Sequence, residues 1–135
     1  MDPNIRSTTK KFVTAALLLA AAINLYPVVG VISVDQLEKL YGVSLDNGDL
    51  IILMRHRAIL FGLLGTFLIF SVFRSSIQTL ACIAGLVSMI SFIALAYASG
   101  HFGEALNKAI VADLVGSLAL VAVLVIRGNQ KGAGD

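Results

Sequence analysis

The 135-residue chain has no Trp, one Cys, two Pro and two His, and only 13% of its residues are charged. The lone Cys82 excludes an internal disulfide, a CxxC redox pair and a cysteine-built metal site. His56 and His101 are too few for the histidine boxes of a membrane desaturase, and both fall near one surface, which does not suit paired haem ligands. No glycine-rich phosphate loop and no acidic cluster for metal-dependent phosphoryl transfer occurs. A soluble domain carries about 25% charged residues, so an ordinary soluble enzyme, a disordered chain and a nucleic-acid module are all excluded. No metal, no cofactor, no nucleic acid and no catalysis by the chain itself is expected.

What is present is hydrocarbon. Apolar residues make up 58% of the chain, and the mean hydropathy is +0.91. A membrane-spanning helix needs about 20 apolar residues to cross about 30 Å. Four runs meet this: Phe12–Val34, Leu50–Phe73, Ile77–Ala98 and Ala105–Ile126. They lack the period-two alternation of barrel strands. Met1–Lys11 with Phe12–Ala20 resembles a signal-peptide core, but the apolar run continues through Tyr26 and Pro27 to Val34, too long for one. The expected fold is therefore an all-α integral membrane protein, a single four-helix transmembrane bundle over residues 1–135.

The connections are short. Leu37, Leu40 and Tyr41 share a face, so the first loop is expected to hold a small surface helix, followed by a turn at Asp46-Asn47-Gly48. Arg74-Ser75-Ser76 reads as a hairpin, and the tail after Arg127, with Gly128, Gly132 and Gly134, as frayed.

Lys and Arg accumulate on the cytoplasmic side. Arg6, Lys10, Lys11, Arg74, Arg127 and Lys131 fall on one side of four crossings, with Asp2 and Asp135 as its only acids. Asp35, Glu38, Asp46, Asp49, Glu104 and Asp113 fall on the other, whose bases are Lys39, Lys108 and the Arg55/Arg57 pair within a helix. Both termini are therefore expected in the cytoplasm of a bacterial cell, with the protein in its inner membrane.

Ionisable groups within a span cost about 2.5–3.5 kcal/mol each at its centre on insertion scales. At 1.5 Å per residue, Arg55 lies about 8 Å, Asp113 and Tyr26 about 12 Å and Asn24 about 15 Å below the outer helix ends, so these groups share one layer. Pro27 deprives the Ile23 carbonyl of its helical partner. That carbonyl, the Asn24 amide and the Tyr26 hydroxyl form a polar notch for an arginine, with Asp113 as counter-charge. Arg55 shares a face with the small Ala58, Gly62 and Thr66 and is expected to point into the bundle. Arg57 shares one with Phe61, Leu64 and Leu68, which suits lipid or a partner protein. The same residues also fit purely structural roles: arginines snorkelling to headgroups, Asp113 paired with Lys108 or Arg55 to ease insertion, Asn24 as interhelical glue, His56 against headgroups. His101 is expected to be exposed and Cys82 inert. Gly62, Gly65, Gly85, Ser88, Ser91, Gly116 and Ser117 are the expected close contacts between helices.

The stretch Met54-Arg55-His56-Arg57-Ala58-Ile59-Leu60-Phe61-Gly62-Leu63-Leu64-Gly65 resembles small four-helix bacterial membrane proteins of unknown function that are similar to the DoxX-like superfamily. In these, the second helix often begins with Arg-Ala followed by glycines. The asparagine and Tyr-Pro of helix one and the acid early in helix four are similar too. The resemblance makes Arg57 the key arginine, where periodicity favours Arg55. It also implies links to quinone and sulfur redox systems in which partner subunits supply catalysis. The acid that often precedes Arg-Ala is replaced here by Arg55. Some proteins of this group bear a phosphopantetheine adenylyltransferase label, yet the Thr-x-Gly-His of such enzymes has Ala98 at its Thr position here. Small multidrug transporters differ by an essential Glu in helix one, which this chain lacks.

Two functions fit. One is binding of a membrane lipid or quinone-like ligand through Asn24, Tyr26, Arg55, His56, Arg57 and Asp113. The other is an accessory subunit of a larger membrane complex, or a homo-oligomer, in which the polar layer serves packing.

Overall fold

The computed structural model describes residues 3–132, and these form five α-helices with no strand among them. Helix α1 is Pro3–Leu25, α2 is Val34–Tyr41, α3 is Gly48–Phe73, α4 is Gln78–Ser99 and α5 is Glu104–Gly132. Four segments are long and apolar enough to cross a membrane: Asn4–Val31, Gly48–Phe73, Ser75–Ser99 and Glu104–Gln130. Large apolar side chains such as Leu63, Val87, Leu95 and Leu118 stand exposed around them. A soluble monomer rarely leaves such a continuous apolar surface, whereas lipid covers it without penalty.

The long helices pack in a ring, α1 on α3, α3 on α4, α4 on α5 and α5 back on α1. Close approaches show the sense of the packing in the α1–α3 and α4–α5 pairs. Gly65 meets Leu25 and Ala21, Gly85 meets Leu120, and Gly116 meets Met89. Residue numbers thus rise on one helix as they fall on its neighbour, an up-down-up-down bundle with the start of α1 and the end of α5 at the same end. A Cβ on Gly85 would come within 2.7 Å of Leu120, so the α4–α5 distance is set by the missing side chain. Leu17, Leu68, Met89, Leu120 and Val123 fill the centre, and Cys82 is buried among them.

The helices outrun their apolar stretches. Hydropathy stops at Phe12, but α1 begins at Pro3, where the Thr8 and Thr9 hydroxyls donate to the carbonyls of Asn4 and Ile5 at 3.0 and 2.9 Å. At the other end, α5 runs through Gly128 to Gly132, so the tail expected to fray is helical over those residues; Gly134, like Asp2 and Asp135, lies outside the described residues.

One contact holds this end together. The Arg127 guanidinium donates from Nη1 to Gln78 Oε1 at 2.6 Å, from Nη2 to the Ser75 carbonyl at 2.8 Å and from Nε to Thr79 Oγ1 at 3.2 Å. A planar fork is suited to three acceptors on one turn. The acceptors run from the short 3-10 segment Ser75–Ile77, where the hairpin at Arg74-Ser75-Ser76 was expected, into the first residues of α4.

Of the expected contacts, Gly62, Gly65, Gly85 and Gly116 do meet neighbouring helices. Ser117 is buried with its hydroxyl unpartnered. Ser91 is exposed and bonds back to the Ser88 carbonyl at 3.0 Å, so it is not a packing contact.

Candidate functional site

At Pro27 the first span changes character. The missing N–H and fixed φ of proline end the α-helical ladder, and Tyr26–Val31 continues as a 3-10 helix. The tighter winding leaves Gly30 buried. The Leu37 side chain of α2 lies where a Cβ on Gly30 would be. Glycine here is the seat on which α2 docks.

Helix α2 is the small surface helix expected from its apolar face. It buries Leu37 and Tyr41, which form a second core with Leu45, Met54 and Leu106. Gly42, at φ 65°, ends it with its N–H on the Glu38 carbonyl at 2.7 Å. The Glu38 carboxylate accepts the Leu45 N–H at 2.7 Å and turns the chain back toward α3. Asn47 is not part of a turn but the N-cap of α3, its side chain accepting the Asp49 N–H at 2.8 Å. Helix α2 thereby becomes a roof over the end of the bundle where the first span finishes and α3 and α5 begin.

Beneath it is a cavity of about 770 Å³. Its walls are the 3-10 end of the first span and the first turns of α5, where Ala105, Ala109 and Ala112 line it at helical spacing. Their short side chains leave the space in front of this face of α5 unfilled. Tyr26 and Val29 line the same cavity while being 65% and 47% exposed, so it opens sideways at the flank of the bundle.

The centre of the cavity wall is Arg57. Its guanidinium lies 5.2 Å from the ring centre of Tyr41, 5.0 Å from that of Phe61 and 4.9 Å from that of Phe92. Three helices therefore each contribute a ring to one cation. Each such contact is worth about 0.5–2 kcal/mol, depending on desolvation. The half-buried guanidinium makes no hydrogen bond among the described residues. Asp113, on α5, lines the same cavity and is electrostatically coupled to Arg57. The two form no ion pair within 4.0 Å: among the described residues that contact occurs only between Lys108 and Glu104, at 2.8 Å on the cavity rim. Burial raises the Tyr41 phenol above its ordinary pKa; Arg57 opposes this and Asp113 reinforces it.

The structure thus brings Asn24, Tyr26, Arg57 and Asp113 around one space and leaves out Arg55 and His56. Arg55 reaches only the Ile32 carbonyl, through Nη2 at 3.5 Å, and its Nε is buried without a partner. Arg55 and Asp113 form no ion pair within 4.0 Å, and it is Arg57, not Arg55, that lines the cavity with Asp113. The face assignment is corrected for the same reason. Leu68 is fully buried and Phe61 and Leu64 are half-buried, so the Arg57 face points inward, while the Arg55 face is divided, with Ala58 buried and Thr66 exposed. Small residues did mark a contact, with α1 at the edge of the buried stripe, but large leucines fill its middle. Asn24 is not interhelical glue: its amide donates to Ala20 O of its own helix at 2.9 Å. Neither arginine reaches the Ile23 carbonyl. His56 and His101 are exposed.

Tyr41 and Phe92 were not singled out from the sequence as site residues. Tyr41 was visible as part of the α2 apolar face; Phe92 is one aromatic in a uniformly apolar run. No three His, Cys, Asp or Glu side chains among the described residues come together as metal ligands. No protein-family model, curated protein or solved structure matches the chain.

Proposed function

We propose that the protein is a multi-pass protein of the bacterial inner membrane, termini in the cytoplasm, that binds a lipid or quinone-like amphiphile without catalysing a reaction. The observation that carries this reading is Arg57: a half-buried cation, ringed by three aromatic faces and without a hydrogen-bond acceptor, at the wall of a laterally open cavity. Cation–π contacts return only part of the desolvation cost of a guanidinium. A polar headgroup returns more, and an apolar tail fits the lateral opening. The Arg-Ala resemblance to DoxX-like proteins also singles out this arginine. The orientation is supported by the basic residues at the end where α1 begins and α5 finishes.

Native mass spectrometry of the full chain after gentle extraction tests the function. One small amphiphile retained by the wild type and lost in Arg57→Gln is the expected result. Stoichiometric partner chains with no small molecule would instead establish an accessory subunit. Cysteine labelling at Ser7 tests the orientation, and labelling from outside intact cells would reverse it.

A further inference from the structure

The charges around the cavity specify the headgroup further. Lys108 and Glu104 neutralise each other at the rim, at 2.8 Å. Lys39 is exposed at the mouth and solvated. That leaves one cation, Arg57, and one anion, Asp113, in the same space and not in contact. From this arrangement we infer that the ligand is an aminophospholipid, whose phosphate takes the Arg57 guanidinium and whose primary ammonium takes the Asp113 carboxylate. The inference rests on the reading of the cavity as an amphiphile site.

Three physical considerations select this class. A purely anionic headgroup would satisfy Arg57 but set its charge against Asp113 in a low dielectric. A neutral quinone carbonyl accepts from Arg57 but offers nothing to a carboxylate. A zwitterion with phosphate and ammonium a few bonds apart complements both groups and leaves the site neutral. The ammonium must be primary rather than quaternary. Choline is recognised by aromatic faces, and the three rings here already surround Arg57. What Asp113 offers is a hydrogen-bond acceptor, which an –NH3+ group can use and a trimethylammonium cannot. The sideways opening at Tyr26 and Val29 gives the acyl chains an exit into the bilayer.

The test is competition. The purified full chain is equilibrated in mixed micelles holding equal amounts of phosphatidylethanolamine, phosphatidylcholine, phosphatidylglycerol and a long-chain quinone, and the retained species is identified by native mass spectrometry. Phosphatidylethanolamine is expected to exceed each other species by about tenfold, the worth of one hydrogen bond to a charged group. In Asp113→Asn, nearly the same in shape, the preference over phosphatidylglycerol is expected to fall by about the same factor, a change that loss of packing alone does not produce. Free O-phosphoethanolamine at the lipid's concentration is expected not to displace it. Equal retention of phosphatidylcholine, stronger retention of phosphatidylglycerol, an unchanged preference in Asp113→Asn, or displacement by the free headgroup each overturns the inference. Retention of the quinone alone overturns it while leaving the cavity as a binding site. Retention of nothing overturns both.

Discussion

The ring centre of Phe92 on α4 sits 4.9 Å from the guanidinium of Arg57 on α3, and this contact joins the candidate site to α4. Arg57 is held by rings rather than by carboxylates, so its position depends on packing. Phe92→Leu keeps most of the volume but removes the π face. It is expected to lower stability by about 0.5–2 kcal/mol, read as a drop in thermal midpoint in detergent. In an Arg57→Gln background the same substitution has no cation to lose, and its cost is expected to shrink to that of packing alone. An equal cost in both backgrounds would show that the ring does not act on the charge.

Asp113 provides a second test, by double-mutant cycle. Arg57→Leu and Asp113→Leu are expected to be coupled by about 0.5 kcal/mol or more, whereas Arg55→Leu and Asp113→Leu should add within about 0.3–0.5 kcal/mol. Chemical or thermal unfolding of the four variants in each cycle gives both numbers. Coupling confined to the Arg55 cycle would restore the pairing that periodicity favours.

The seat of α2 is open to a simpler experiment. In Gly30→Ala the new methyl falls on the Leu37 side chain. Overpacking of this kind costs about 1–3 kcal/mol, and α2 should lift from the bundle, with faster proteolysis in the 34–47 segment. Adding Leu37→Ala makes room again, so the double variant should be cleaved more slowly than Gly30→Ala alone if the clash is the cause.

At the opposite end, Arg127→Ala strands the buried Gln78 side chain. Hydrogen bonds to a charged group contribute about 1.5–3 kcal/mol, and a loss of that order is expected in the thermal midpoint. Arg127→Lys should recover little, since an ammonium cannot reproduce the fork that spans Ser75, Gln78 and Thr79. Full rescue by lysine would reduce the contact to simple charge.

The Tyr41 phenol supplies a pH dependence. Its folded-state pKa is raised, chiefly by burial, so folding favours the protonated form. That stability is fully present below the ordinary value of 10.0 and is lost as the pH rises through the raised folded value. Thermal midpoints across the alkaline range should therefore fall less steeply in Tyr41→Phe than in the wild type. Parallel curves would mean that burial does not hinder the ionisation of Tyr41.

The four spans, their order and the α2 helix follow from hydropathy and helical periodicity, because those properties are local to each segment. The layer holding Asn24, Tyr26, Arg57 and Asp113 was equally legible, since depth is a matter of counting residues along a helix. Azimuth was not. Choosing between Arg55 and Arg57 requires knowing which stripe of α3 faces inward. Small residues pointed to the α1 contact at the edge of that stripe, while Leu68 fixes its centre. In a uniformly apolar helix, hydrophobicity does not distinguish lipid from core, so only the resemblance to Arg-Ala proteins pointed to Arg57. Phe92 became meaningful only when α3 and α4 were side by side.

The two ends of α5 are tied to different parts of the molecule. Near its start, Leu106 packs beneath α2, and near its end Arg127 grips the turn between α3 and α4. Between Glu104 and Arg127 the helix extends about 35 Å, slightly more than the hydrocarbon thickness. With both ends fastened, α5 cannot slide past its neighbours to suit a thinner bilayer. Hydrophobic mismatch must be met by leaning the whole bundle or by deforming the surrounding lipid. In a bilayer, leaning would carry the lateral opening at Tyr26 and Val29 to a different depth, so membrane thickness would tune the level at which the proposed ligand enters.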